Sequence, residues 1–242
     1  MFDGHYESWR KSRLDTTINI LTDKFMAGKN ILEVGCGHGH IGNFFQTEFP
    51  DCRVTCCDGR KEHVEKIKEN IQKNVYSQNL TTEIYDLEED YSLETKKFDV
   101  IIHWGVLYHI SDVKKHMTDI LSHCDYVLLE TEVCDSEEDI CKTLGEGGYD
   151  QAVSGTGSRP SPSHVEGILT ENGFEFRRIL DCRLNSGSHV YDWKHTNDGH
   201  HKDGLRRFWI CWKSGVKTPL QAEKKYYERR VMPPHDAKKE TI

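Results

Sequence analysis

The chain has 242 residues, 30% of them charged, with a formal net charge of -8 and a pI near 6.0. That length suits one α/β domain with a large core and argues against two full domains, while the acidic balance argues against a broad electrostatic hold on nucleic acid. No stretch approaches the length of an apolar membrane span and the opening MFDGHYESWR lacks a basic-then-apolar leader pattern, so a soluble, cytoplasmic protein is expected.

Residues 6–26 read as an amphipathic helix, with Trp9, Leu14, Ile18, Leu21 and Phe25 at three- to five-residue steps and Gly28 ending it. A first strand at 30–34 breaks at once into Gly35, Gly37 and Gly39, and a helix follows over about 41–49, stopping before Pro50. A second strand, 53–57, closes on Asp58 and Gly59, and a charged helix over 61–74 turns Val64, Ile67 and Ile71 inward. The third strand, 81–85, ends at Asp86; the fourth, FDVIIH over 98–103, is apolar almost throughout, as a strand buried on both faces should be. Ser111 and Asp112 can cap the next helix, and DYVLLE over 125–130 is the fifth strand. The glycine-rich stretch over 132–160 is too long for an ordinary connection and is expected to be a lid or mobile insert. A helix introduced by Pro160 and Pro162, a sixth strand over 174–181 and a seventh over 206–213 complete a domain spanning 1–216. The tail from 217 suggests one short helix and a disordered end. Strand and helix in alternation mean a doubly wound parallel sheet.

In such sheets ligands bind outside the carboxyl ends of the strands, near the point where strand order reverses. That rule selects Glu33 to Gly39, Asp58, Asp86 with Leu87, and the segment from His103 to His109. Gly37, Gly39 and Gly42 also satisfy a dinucleotide spacing. A dinucleotide brings a pyrophosphate to the helix N-terminus, however, whereas Glu33, two places before the first glycine, suits a cofactor that carries an ammonium group: S-adenosylmethionine. Asp58 lies where a carboxylate accepts both ribose hydroxyls, and Asp86 where one accepts from the adenine amino group. Each aspartate alone is also what a tight turn uses.

Nine cysteines, an odd number without a C-x-x-C pair, several in strand-like runs, read as reduced core thiols. His189, His195, His200 and His201 fall in one polar segment without the spacing of a zinc site, so no metal is expected.

The run Glu33-Val-Gly-Cys-Gly-His-Gly, with Asp58, Asp86 and FDVIIHWGVLYHI, resembles the class I S-adenosylmethionine-dependent methyltransferases over about 31–130. Within them, Gly105-Val-Leu-Tyr-His109, with Trp9 and Arg13 upstream, is most similar to the enzymes that modify the wobble uridine of tRNA by carboxymethyl transfer. It is also similar to their relatives acting on sugars and small molecules. The resemblance implies a Rossmann-like seven-stranded sheet in order 3-2-1-4-5-7-6 with the last strand antiparallel. It also implies S-adenosylmethionine as cofactor, held by Arg13, Glu33, Gly35, Gly37, Gly39, Asp58, Asp86, Leu87 and His103.

On that topology the loop over 183–205 would arch above the active site with Tyr191, Trp193 and His195, and the insert would bring Tyr149 and Arg159 to the same face. These five are the candidate substrate-binding residues. His109 is the candidate base, suited to neutral pH, with Tyr108 beside it. In carboxymethyl-transferring relatives the tyrosine of this motif recognises an extra carboxylate on the cofactor, which leaves a carboxylated cofactor open. The expected acceptor is a hydroxyl or amine of a small molecule or saccharide. A tRNA-modifying methyl- or carboxymethyltransferase and a non-catalytic cofactor-binding module are the alternatives, and oligomeric state is left open.

Overall fold

The computed structural model describes residues 4–88, 96–148, 152–196 and 204–221. After helix α1 (Gly4–Ile20) the chain alternates: β1 (Asn30–Val34), α2 (His40–Glu48), β2 (Arg53–Asp58), α3 (Lys61–Gln72), β3 (Thr81–Ile84), β4 (Phe98–Trp104), α4 (Val113–Ser122) and β5 (Cys124–Glu132). A two-stranded sheet, β6 (Cys141–Gly145) with β7 (Thr156–Pro160), comes next, followed by α5 (Pro162–Glu171), β8 (Phe174–Ile179) and β9 (Arg206–Lys213). The main sheet has seven strands in the order β3-β2-β1-β4-β5-β9-β8. Because β6 and β7 stand outside it, β8 and β9 are the expected sixth and seventh strands, and the expected order holds.

The chain divides into two compact units, one of residues 26–129 and 143–158, the other of 1–25, 130–142 and 159–242. In the first, β1 pairs in parallel with β2 and β4, setting Ile31 opposite both Val54 and Val100. These positions are fully or almost fully buried, the condition under which parallel strands read as continuous apolar runs. α3 and α4 contribute Val64, Ile67, Met117 and Ile120, all without exposed surface. Asp112 caps α4, its Oδ1 accepting the Lys115 N–H at 3.0 Å. In the second unit β8 and β9 pair antiparallel, Phe174 opposite Lys213 and Ile179 opposite Phe208. Ser161 caps α5 by accepting the His164 N–H at 3.0 Å, with Pro162 in the first turn.

The first helix differs from expectation. The first helix ends at Ile20, not Met26. Leu21 forms a bridge with Leu220, while Thr22 N–H donates to Pro219 at 2.8 Å and Gln221 N–H to Ile20 at 3.0 Å, so chain that would continue the helix pairs with 219–221 instead. Its buried side carries Arg13, Thr16 and Thr17 as well as Trp9 and Leu14, whereas Ile18 is exposed. The stretch over 132–160, expected as a lid or mobile insert, holds β6 and β7, with Glu146 N–H donating to the Gly155 carbonyl at 2.9 Å just beyond them. The short helix expected in the tail lies, beyond residue 221, outside the described residues. No helix among the described residues is long and apolar enough to cross a membrane.

Candidate functional site

The turn after β1 uses left-handed backbone at three glycines, with φ of 58° at Gly35, 53° at Gly37 and 70° at Gly39. Their surroundings differ. A Cβ on Gly35 would fall 2.3 Å from a Val106 methyl, and one on Gly39 would fall 2.8 Å from Ile67 Cδ1, so packing alone demands glycine there. Nothing lies within 4 Å of a Cβ built on Gly37, which makes Gly37 the point where the turn shows bare backbone to open space.

Glu33 lies beneath this turn, 3% exposed. Its Oε2 accepts the Gly42 N–H at 2.8 Å and the Cys56 thiol at 3.2 Å. Gly39 has no side chain with which to cap α2, so the strand carboxylate anchors the helix N-terminus instead. Around it the sulfurs are inert. The hydrogen bond with Cys56, together with burial, pushes the Cys36 thiol up. Although its bond with Cys36 opposes this, burial and the Glu33 charge carry Cys56 up to about 12.

Asp58, at the end of β2, clamps the turn: Oδ2 accepts the Gly37 N–H and Oδ1 the Arg60 N–H, both at 2.9 Å, with His63 Nδ1 3.2 Å away. A carboxylate has about four lone-pair sites, so these bonds leave capacity for hydroxyl donors. Asp86 is half-buried and accepts the Glu88 N–H at 3.0 Å, a local turn that fixes its direction. The Leu87 carbonyl lies 3.2 Å from His116 Nδ1, and His116 Nε2 lies 2.8 Å from His103 Nε2. The carbonyl fixes the proton on His116 Nδ1, so His103 Nε2–H donates to His116. Burial pushes both rings down, His116 to about 4, and both are neutral. The His103 ring is thus fully buried and committed to α4.

After β4, residues 107–109 form a 3-10 turn closed by the His109 N–H on Val106 at 2.8 Å. The rings of Tyr108 and His109 lie 3.9 Å apart. His109 Nδ1 meets Glu146 Oε2 at 2.5 Å, and the same oxygen accepts the Ala152 N–H at 3.1 Å. Sequence reasoning missed Glu146; its one signal was a lone carboxylate among Gly145, Gly147 and Gly148.

The other unit holds a separate buried cluster. Glu130 receives Arg206 at 3.0 Å, Tyr191 Oη at 3.1 Å and Arg13 at 3.3 Å. The Arg13 guanidinium lies 3.9 Å from the Trp9 ring centre, and Trp9 Nε1–H donates to Tyr191 Oη at 2.6 Å. Burial beside Glu130 pushes the Tyr191 phenol up, so it stays a neutral donor. Arg159 lies 3.7 Å from Glu132. Trp193, expected on a loop facing substrate, has no exposed surface: its Nε1–H donates to the Arg206 carbonyl at 3.0 Å and Arg207 covers its ring at 3.4 Å. His195 Nδ1–H donates to Asp135 at 3.0 Å. Burial and the Arg207 charge lower the His195 pKa, and the ring is neutral at pH 7. Tyr149, His200 and His201 lie outside the described residues. Among the described residues no group of three His, Cys, Asp or Glu side chains is arranged to hold a metal ion.

The chain is 26% identical over 160 residues to a tRNA U34 carboxymethyltransferase of Methylococcus capsulatus, a match over 64% of this chain and 48% of that one. It therefore spans about half the length of this relative. Among solved structures, the N-terminal domain of EvdMO1, crystallised in the presence of SAH and D-fucose, superposes with a TM-score of 0.61 at 14% identity, over 85% of this chain and 82% of that one. Magnesium protoporphyrin IX methyltransferase of Synechocystis PCC 6803, with bound SAH, gives 0.55 at 16% identity, over 87% and 84%. The family profile described as methyltransferase domain matches residues 6–179, and with the strand order and glycine turn above, the chain belongs to that family, on the class I fold.

Proposed function

We propose that the chain transfers the methyl group of S-adenosylmethionine to a hydroxyl or amine of a small molecule or saccharide, with His109 as general base and Tyr108 beside it. The observation that carries the cofactor reading is Gly37: left-handed backbone with an open face, its N–H held by a carboxylate at the end of the next strand. That acceptor set fits the ribose hydroxyls and the amino group of an adenosine, because Asp58 and Asp86 both accept hydrogen bonds. In this reading Asp58 takes the ribose hydroxyls, Asp86 the adenine amino group, and the Gly35 to Gly39 turn the methionyl end. When bound, the cofactor supplies a methyl carbon to the acceptor, the carbon–sulfur pair remaining on sulfur. The chain's contribution is orientation, which reaches about 7 to 11 kcal/mol in well-aligned cases, and removal of the acceptor proton at His109.

Support for a small acceptor comes from the net charge of -8 and from the N-terminal domain of EvdMO1 having been crystallised in the presence of D-fucose as well as SAH. The Methylococcus relative favours a second reading, in which the acceptor is tRNA and Tyr108 meets a carboxylated cofactor. Calorimetry with S-adenosylhomocysteine should give saturable binding that Asp58→Asn weakens about tenfold, the equivalent of one charge-assisted hydrogen bond of about 1.5 kcal/mol. Label from [methyl-³H]S-adenosylmethionine should enter hexoses, amino sugars or small alcohols. Label entering bulk tRNA alone would replace the first reading by the second, and absence of S-adenosylhomocysteine binding would end both.

A further inference from the structure

We propose that Glu146 is the positioning residue of a carboxylate–imidazole pair that makes His109 a base for an alcohol, so that the acceptor atom is a hydroxyl oxygen and not an amine. This rests on the reading of the chain as an S-adenosylmethionine-dependent methyltransferase with His109 as base.

The two residues reach each other from separate segments of one unit, His109 at the end of the 3-10 turn after β4 and Glu146 one residue past β6. Their 2.5 Å contact joins Nδ1 to Oε2. Oε2 already accepts the Ala152 N–H at 3.1 Å, the arrangement of an ionised carboxylate, so the proton between the pair belongs on Nδ1. That leaves the Nε2 lone pair as the only acceptor on the ring. Burial is graded along the pair: the Glu146 side chain is 4% exposed and that of His109 17%, placing the carboxylate inside and the imidazole toward solvent.

A third residue holds the pair in place. A Cβ on Gly157 of β7 would fall 2.5 Å from Glu146 Cδ and 2.5 Å from the Tyr108 carbonyl oxygen. Glycine at this position lets the β7 backbone close on Glu146 and on the segment carrying His109 at once. The hairpin formed by β6 and β7 thus presents a carboxylate to the base, a more specific task than covering a site.

The chemistry then selects the acceptor. An amine that attacks as its free base sheds a proton afterwards, to water if need be, and gains little from a fixed base. An alcohol has a pKa far above neutrality and must lose its proton as its oxygen bonds to carbon. As the oxygen bonds the methyl carbon and the carbon–sulfur pair stays on sulfur, the hydroxyl proton passes to His109 Nε2. The resulting imidazolium is held by the buried Glu146 carboxylate and then releases the proton to solvent. A buried counter-charge for an imidazolium helps only where one forms.

The test uses the full chain, Glu146→Gln and His109→Ala. The Glu146→Gln side chain retains an oxygen for both N–H groups but lacks the charge. Long-range ¹H–¹⁵N correlation spectra of the wild-type protein near pH 8, with His109 assigned by its loss in His109→Ala, should show the Nδ1–H tautomer. The Nε2–H tautomer would overturn the proposal without any acceptor being known. With hexoses and their 2-amino counterparts as paired probes, wild type should methylate oxygen. Glu146→Gln should lower kcat roughly 100-fold with KM and S-adenosylhomocysteine affinity within about threefold. Wild-type kcat in Glu146→Gln, or transfer to nitrogen alone, would overturn it as well. Loss of S-adenosylhomocysteine binding in the wild type would instead defeat the functional reading on which the proposal rests, whatever the tautomer.

Discussion

His103 and His116 are two adjacent titratable groups that the fold keeps neutral by burial, and their chemistry has a measurable consequence. Both folded pKa values lie below the ordinary value of 6.5, His116 at about 4. Above pH 6.5 neither the folded nor the unfolded chain protonates them, and they give stability no pH dependence. As pH falls below 6.5 the unfolded chain binds protons that the fold refuses, so stability falls until the folded rings themselves titrate. For His116 alone, the distance from 6.5 down to about 4 corresponds to about 3 kcal/mol. Urea unfolding between pH 7 and pH 5 should show this slope, and His103→Leu/His116→Leu, which replaces both partners by apolar groups, should flatten it. An equally steep slope in the double variant would show that other groups cause it. The sequence showed a histidine at the end of the fourth strand and suggested a cofactor contact. Its ring bonds a histidine thirteen residues on, at an inward position of α4, a pairing that only tertiary packing reveals.

At the scale of elements, the strands and helices followed from periodicity and punctuation wherever one chain segment decides its own state. β4 is apolar almost throughout, α4 and α5 begin on capping side chains, and β1 stops at glycine. Where pairing between segments decides, the sequence was mute: α1 ends early because residues 219–221 pair with the chain at 20–22, and the 132–160 stretch forms β6 and β7 across the loop between them. The glycine turn shows both sides. Spacing located it, but could not tell that Gly35 is required by Val106, Gly39 by Ile67, and only Gly37 by an open face. Alanine at any of the three incurs the left-handed backbone penalty of about 1 to 2 kcal/mol. Gly35→Ala also drives a methyl to 2.3 Å from Val106 and should lower stability by several kcal/mol in all, partly restored by Val106→Ala. Gly37→Ala should unfold at only slightly lower urea yet bind S-adenosylhomocysteine about tenfold more weakly, because its methyl projects into the open space. Wild-type affinity in Gly37→Ala would show that the open face does not meet the cofactor.

Across the whole molecule, strand-helix alternation made a parallel sheet legible, the family resemblance implied its order, and the strand-end rule brought Gly37, Asp58, Asp86 and His109 into view. It could not foresee Glu146, nor that Tyr191 and Trp193 are fully buried, because a loop residue's partners depend on folding the sequence does not spell out. The cysteines test the same contrast over the full chain. All nine are thiols outside any disulfide; seven are buried, Cys182 is half-buried and Cys141 is exposed. Burial pushes Cys52, Cys57 and Cys134 up, and Cys36 and Cys56 rise beneath the glycine turn, so little thiolate, the reactive form, exists at these positions at neutral pH. Iodoacetamide at pH 7.5 should therefore alkylate Cys141 first and Cys182 more slowly, leaving the other seven intact until denaturant opens the fold and all nine react. Peptide mass spectrometry of a time course would resolve the order. S-adenosylhomocysteine should slow any residual labelling of Cys36, because a ligand that binds the folded turn suppresses the openings through which a buried thiol reacts. Rapid alkylation of Cys36 or Cys56 in the native protein would mean that the sulfurs beneath Gly37 are not closed off from solvent, and the packing that sets the glycine turn would have to be redrawn.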